Sequence, residues 1–299
     1  MADLSAIIAR LEPRLGAAAA PPVPLDGGIT NRNYRVRFGE RDCVLRLPGQ
    51  DTALLGISRE AERVANQAAA ALGIAPAVAA GDEECLVTEF LAGGPVDADA
   101  LRRAPQQVAV ALRRFHDCGL QLPTRFWVPE LLEDYAVIVR ERGGSLPDYY
   151  AQARELAERI AAAMPLSDPV PGHNDLLPSN LLRLNAAPHP IVLVDWEYAG
   201  MGHRLFDLGN LAVNNEFDEA AERLMLEAYF GEPPGPRRLA QLALMRIMSD
   251  AREAAWGVVQ GSISELEFDF DEYASDHFAR LARAAGDPRL EGWLVAATA

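Results

Sequence analysis

The apolar pattern of this 299-residue chain changes period once, near residue 92, from short strand-like runs to longer helical ones. Residues 3 to 20 read as a helix ending in an alanine tract, which Pro21-Pro22-Val23-Pro24 breaks. Two β-type runs then flank the small and polar residues between Leu25 and Val36, and Cys43 to Leu47, Ala77 to Ala80 and Leu86 to Leu91 follow. One helix interrupts these strands: Ser58 can cap it, Glu60 and Glu62 sit in its first turn, and Gly73 stops it after Leu72. Ala92-Gly93-Gly94-Pro95 supplies a flexible break suited to a hinge. Beyond it, Asp97 to Cys118, Pro129 to Arg142, Asp148 to Met164, 236 to 258 and Phe270 to Ala285 are helical. These segments predict an α+β fold of two lobes: residues 1–92 with an antiparallel sheet and one main helix, and residues 93–299 mostly helical.

Between those later helices lies Pro171-Gly172-His173-Asn174-Asp175-Leu176-Leu177-Pro178-Ser179-Asn180, followed by a second apolar run, Ile191 to Val194, that ends on Asp195. Asx residues in loops ordinarily serve turns and caps. Here a carboxylate, an amide five positions on and a second carboxylate after an apolar run occur together. Phosphoryl transfer asks for that set: a carboxylate to orient and deprotonate the accepting hydroxyl, and oxygen ligands to hold magnesium against nucleotide phosphates. Asp175 suits the first task, Asn180 and Asp195 the second, and His173 reads as a brace of the loop. The order resembles the protein-kinase H-R-D-x-x-x-x-N loop, with Asn174 where those enzymes carry Arg.

Other segments fit the same chemistry. Backbone N–H groups around Gly27-Gly28 could approach phosphates, because glycine leaves the hairpin open to them. Arg46, the one charge inside its run, stands where protein kinases place a phosphate-binding Lys, and its partner is Glu60 or Glu62. Trp196 to Asn210 reads as a site-lining loop leading into a helix, with Asp207 as a cap of that helix or a brace of the catalytic loop, the cap being favoured because Asp is common at helix starts. His116, late in its helix, reads as a packing or capping residue.

The net charge of −15 excludes a nucleic-acid footprint, which would cluster Lys and Arg, and suits a small cationic substrate as well as solubility. Cys43, Cys85 and Cys118 lack metal-ligand spacing and read as small core residues of a reducing compartment. The opening residues lack a basic region, and no run of 18 apolar residues occurs, so the expectation is a cytoplasmic protein without membrane insertion.

Taken together, the motifs resemble the aminoglycoside phosphotransferase and choline kinase superfamily, and within it the choline/ethanolamine kinase branch. They are Gly27-Gly28-Ile29-Thr30-Asn31, Val44 to Leu47, Arg59 to Glu62 with Leu72 to Pro76, His173 to Asn180, Asp195 to Tyr198, Phe206 to Asn210 and Trp256 to Tyr273. The resemblance implies ATP and Mg2+ as cofactors, and Arg at position 46 is similar to what choline kinases carry. It implies nucleotide binding by Gly27, Gly28, Thr30, Asn31, Arg46, Glu62, Glu89, Phe90 and Leu91, with Glu62 rather than Glu60 beside Arg46. It also implies Asp175 as the base, Asn180 and Asp195 on the metal, and Glu197, Tyr198, Glu253, Trp256 and Tyr273 with Asp175 around the substrate.

A quaternary ammonium is recognised by aromatic faces, each worth roughly 0.5 to 2 kcal/mol, which gives Tyr198, Trp256 and Tyr273 their expected role. Two departures stand out: Glu253 replaces a further Trp of eukaryotic choline kinases, and Asn214 replaces a pocket Glu. The implied activity is phosphorylation of choline, ethanolamine or a similar amino alcohol. An aminoglycoside, thiamine or another hydroxylated amine is the alternative acceptor, a silent nucleotide-binding protein the alternative of another class, and homodimerisation is left open.

Overall fold

The computed structural model describes residues 3–25, 31–49, 51–185, 191–264 and 266–298. Strands β1 (Val23–Leu25), β2 (Asn31–Phe38), β3 (Arg41–Pro48), β4 (Val78–Gly81) and β5 (Leu86–Glu89) form one antiparallel sheet in the order β1-β2-β3-β5-β4. Helix α1 (Leu4–Leu15) lays Ile7, Leu11 and Leu15 on Val36, Phe38, Leu45 and Val87 of that sheet. The spacing of those three side chains is that of one helical face, and each buried aliphatic contributes about 1.5–3 kcal/mol. Helix α2 (Arg59–Ala71) starts where Ser58 Oγ accepts the Ala61 N–H at 3.2 Å, as its sequence predicts.

The predicted helix over 3–20 is shorter in the structure. Gly16 takes φ 102°, and the chain turns so that Ala19 N–H donates to the Arg37 carbonyl at 2.8 Å, extending the sheet edge instead of the helix. The alanine tract's propensity loses to that pairing. Gly93 stands in a strand and not in an irregular break. Residues Gly93–Pro95 form β6, which pairs with β8 (Leu181–Leu184), itself paired with β9 (Ile191–Leu193). A Cβ on Gly93 would stand 2.4 Å from the Arg183 carbonyl oxygen, so glycine is there for close strand approach.

The rest is helical. The segment predicted as one helix over 97–118 is two, α3 (Ala98–Arg103) and α4 (Gln106–His116), because Pro105 interrupts it. α5 (Val128–Glu141) and α6 (Tyr149–Ala163) follow, then β7 (Val170–Gly172), which pairs with β10 (Gly200–Gly202). α7 (Arg204–Asn214), α8 (Glu219–Phe230), α9 (Pro236–Ile263), α10 (Phe270–Ala285) and α11 (Leu290–Thr298) complete the chain. α9 passes through Gly257 and Gly261, where a stop near 258 was predicted, and is buried on nearly every side by α5, α6, α7, α10 and α11.

Two glycines allow that packing. A Cβ on Gly209 of α7 would fall 2.6 Å from the Met245 backbone, and one on Gly257 would fall 2.9 Å from Ala274 Cβ. Among the cysteines, Cys43 and Cys85 are buried as predicted, whereas Cys118 is exposed just past the end of α4. Among the described residues no helix is long and apolar enough to cross a membrane.

Candidate active site

The loop after β7 is fixed by polar contacts from three directions. Asp207, in the first turn of α7, accepts the backbone N–H of His173 at 2.8 Å and of Asn174 at 2.7 Å. It therefore braces the loop and does not cap α7; His203 is the cap, accepting the Leu205 N–H at 3.2 Å. His116 Nε2 lies 2.9 Å from Asp207 and its Nδ1 lies 2.6 Å from the Tyr229 hydroxyl, so this fully buried histidine belongs to the same brace. These contacts hold the Asp207 carboxyl below its usual range although burial pushes the other way.

His173 donates through Nε2 to the Val194 carbonyl at 3.0 Å and packs on Trp196, ring centroids 4.5 Å apart. Burial pushes its imidazole down to about 4, so it is a neutral brace, tying the loop to the strand that ends on Asp195. Asn210 completes the support: its Oδ1 accepts Leu176 N–H at 2.5 Å and its Nδ2 donates to Ser249 of α9 at 2.9 Å.

On this frame Asn180 Nδ2 donates to the carbonyl and to Oδ2 of Asp175, at 2.8 and 2.9 Å, which leaves its own amide oxygen for another partner. Asp175 is buried, and burial raises its pKa well above the carboxylate range while Arg252 opposes the rise. Asp195 follows β9 with φ 66° and pairs with Arg46. Burial lifts its carboxyl to about 6 against the pull of Arg46.

Arg46 comes from β3, where it is paired with Asn33 of β2 and Leu86 of β5. Besides Asp195 it meets Glu62 at 2.9 Å and Glu197 at 3.2 Å, and Arg59 reaches Glu62 at 2.7 Å. Glu62 is thus the partner that the resemblance implied. Burial alone would weaken the Arg46 charge, but Asp195, Glu62 and Glu197 hold it firmly protonated. Asn31 donates to Glu197 at 3.0 Å and so faces this ion cluster.

Two cavities open around these groups. The larger, about 510 Å³, runs beneath the five-stranded sheet and is lined by Arg46, Glu89, Phe90, Leu91, Asn180 and Asp195 among others. The smaller, about 120 Å³, is lined by Asp175, Glu197, Tyr198, Arg252, Glu253, Trp256 and Tyr273. Ser179, Asn180 and Asp195 line both, so the two spaces meet at these residues. Gly27, Gly28 and Thr30 lie outside the described residues.

The donor set at the junction, an amide oxygen and a carboxylate, fits a hard divalent cation that draws its other ligands from phosphates and water. Among the described residues no group of three His, Cys, Asp or Glu side chains could hold a metal unaided.

Sequence reasoning missed Arg252. It is 1% exposed and donates from one terminal nitrogen to both Glu253 oxygens at 2.9 Å and to Asp175 at 3.3 Å. Its guanidinium carbon lies 4.2 Å from the centre of the Tyr198 ring. Arg252 and Trp256 stand four apart on α9, the spacing that shares a helix face, and that was the available signal. Glu253 also accepts the Tyr273 hydroxyl at 2.8 Å, and Trp256 Nε1 donates to the Tyr198 hydroxyl at 2.7 Å. Asn214, the other departure, lies at the end of α7 and does not line the smaller cavity.

Comparison with known proteins agrees with this geometry. Residues 22–242 match the phosphotransferase enzyme family known as APH. Ethanolamine kinase 2 of Rattus norvegicus is 30% identical over 285 residues, covering 84% of this chain and 72% of that protein. The crystal structure of a choline/ethanolamine kinase family protein from Mesorhizobium loti superposes with a TM-score of 0.81 at 28% identity, over 98% of each chain. LicA, solved in complex with AMP, shares the fold with a TM-score of 0.77 at 22% identity, over 97% of this chain and 98% of that one.

Proposed function

The chain belongs to the phosphotransferase enzyme family, a kinase that transfers phosphate to an alcohol, and on that premise we propose that its acceptor is a small amino alcohol of the choline and ethanolamine class. One observation carries the reading: a nucleotide-sized cavity and a small aromatic-lined cavity meet at Asn180 and Asp195, with Asp175 on the wall of the smaller. That arrangement supports ATP in the larger space and the acceptor in the smaller, with the phosphoryl group crossing at the junction.

In this reading residues 1–92 supply the nucleotide side and residues 93–299 the catalytic and acceptor side. The N–H groups of Glu89 and Phe90 are engaged by Ala77 and Asp42, at 2.8 Å each, so Leu91 is the donor left in that segment for the adenine base. Arg46, anchored by Glu62, would meet phosphate oxygens with the nitrogen that now serves Asp195.

Asn180 and Asp195 would hold Mg2+, which when bound neutralises phosphate charge. Asp175 would accept the hydroxyl proton of the acceptor, and Asn180 fixes the rotamer in which it does so. Trp256 and Tyr273 present aromatic surface beside the buried carboxylates, which suits a cationic head group.

The test is ATP consumption with a panel of alcohols, comprising ethanolamine, choline, an aminoglycoside and thiamine. Saturable turnover on an amino alcohol at a kcat/KM at least about a hundredfold above that on the aminoglycoside and thiamine is expected. Preference for either of the latter two would overturn the acceptor class and leave the phosphotransferase intact.

A further inference from the structure

A substrate ammonium in the smaller cavity could be attracted in two ways, by aromatic faces and by carboxylates, and Arg252 already draws on both. Its guanidinium lies on the Tyr198 ring at 4.2 Å. Its bonded nitrogen takes both Glu253 oxygens at 2.9 Å and one Asp175 oxygen at 3.3 Å. The other two nitrogens, Nε and the second terminal one, are buried without a hydrogen-bond partner among the described residues. The Tyr198 face therefore stands in for water on that side of the charge. A ligand that took this face would leave a buried cation bare.

What remains for an acceptor is specific. Trp256 and Tyr273 pack edge to face with centroids 5.4 Å apart, and their polar atoms are tied to Tyr198 and Glu253. A carboxylate has about four lone-pair sites: those of Glu253 are taken by Arg252, Asn210 and Tyr273, whereas the Asp175 oxygens, with one bond each from Arg252 and Asn180, can accept further donors. A primary ammonium carries three N–H donors and can share those oxygens, offsetting its repulsion from Arg252. A trimethylammonium has none, and its methyl groups keep its charge away from the oxygens. The space of about 120 Å³ also favours the smaller head group.

Resting on the amino-alcohol reading above, we propose that Arg252 determines specificity in this pocket: by occupying the Tyr198 face and bridging Asp175 to Glu253, it selects a primary amino alcohol over a quaternary one.

The experiment compares kcat/KM for ethanolamine and choline with ATP and Mg2+ on the wild-type chain and on Arg252→Met. Wild type is expected to favour ethanolamine by about tenfold or more, and Arg252→Met to shrink that ratio by about tenfold, through the KM for choline. Equal or better use of choline by wild type overturns the proposal, and so does an unchanged ratio in a folded Arg252→Met. If Arg252→Met does not fold, inhibition of the wild-type reaction by ethylammonium and tetramethylammonium decides. Tetramethylammonium about tenfold weaker supports the assignment, and equal or tighter inhibition overturns it. Failure of wild type to phosphorylate either alcohol is a separate outcome: it removes the amino-alcohol reading, and this inference with it.

Discussion

Asn174 and Asp195 both adopt a left-handed backbone conformation, φ 66° in each, and each stands two residues past the end of a strand, β7 and β9. Asn and Asp tolerate that region better than other residues with a Cβ. The strain is balanced by fixed partners: Asn174 donates to the Tyr198 carbonyl at 3.0 Å and Asp195 holds Arg46. Asp207 shows how much one carboxylate can organise. Asp207→Ala strands two buried backbone N–H groups and the His116 ring, so we expect a loss of about 3 kcal/mol or more in urea unfolding.

His173 gives a pH test. Burial lowers its pKa from 6.5 to about 4, so between those values the unfolded chain binds a proton that the folded chain refuses. Its contribution to stability is complete above pH 6.5 and is lost as pH falls toward 4, by up to about 3 kcal/mol. Urea midpoints at pH 7 and pH 4.5 should therefore fall less in His173→Gln than in wild type, and an equal fall would show that the imidazole titrates freely.

At the scale of elements, α9 is the member on which the smaller cavity depends. It brings Arg252, Glu253 and Trp256 to one cavity because α7 and α10 approach it closely through Gly209 and Gly257. Alanine in place of an interior helical glycine ordinarily stabilises by about 1 kcal/mol. At Gly209 the added Cβ meets Met245 backbone at 2.6 Å, so we expect Gly209→Ala to destabilise by about 1–3 kcal/mol, read as a lower thermal midpoint.

Elements also show what was legible in the chain. The five strands of the large sheet and the His173-to-Asn180 loop carry their information locally, in period and in turn residues, and stand near where they are predicted, whereas β6, β7 and β10 fall in segments not read as strands. The early end of α1 depended on a strand further along the chain, whereas the split of the 97–118 helix at Pro105 was a local signal left unread. α8 and α11 were missed, and so was the burial of Arg252, since an arginine ordinarily reads as exposed. Its partners Asp175 and Tyr198 lie 77 and 54 positions away, a distance no local pattern spans.

At the scale of the whole molecule, one core packs around α9 and a second lies between α1 and the sheet, and the Arg46 cluster joins elements from both. The consequence is a junction where groups from β3, α2, the His173 loop and the end of β9 meet. Asp175 lines the smaller cavity and not the larger, and Asn180, which lines both, holds one of its oxygens at 2.9 Å. The decisive measurement is therefore phosphate transfer from ATP to the acceptor by Asp175→Ala, with ATP binding followed in parallel by calorimetry. The account predicts kcat lower by about a hundred- to ten-thousandfold with ATP affinity within a few fold of wild type. Turnover within a few fold of wild type would contradict it.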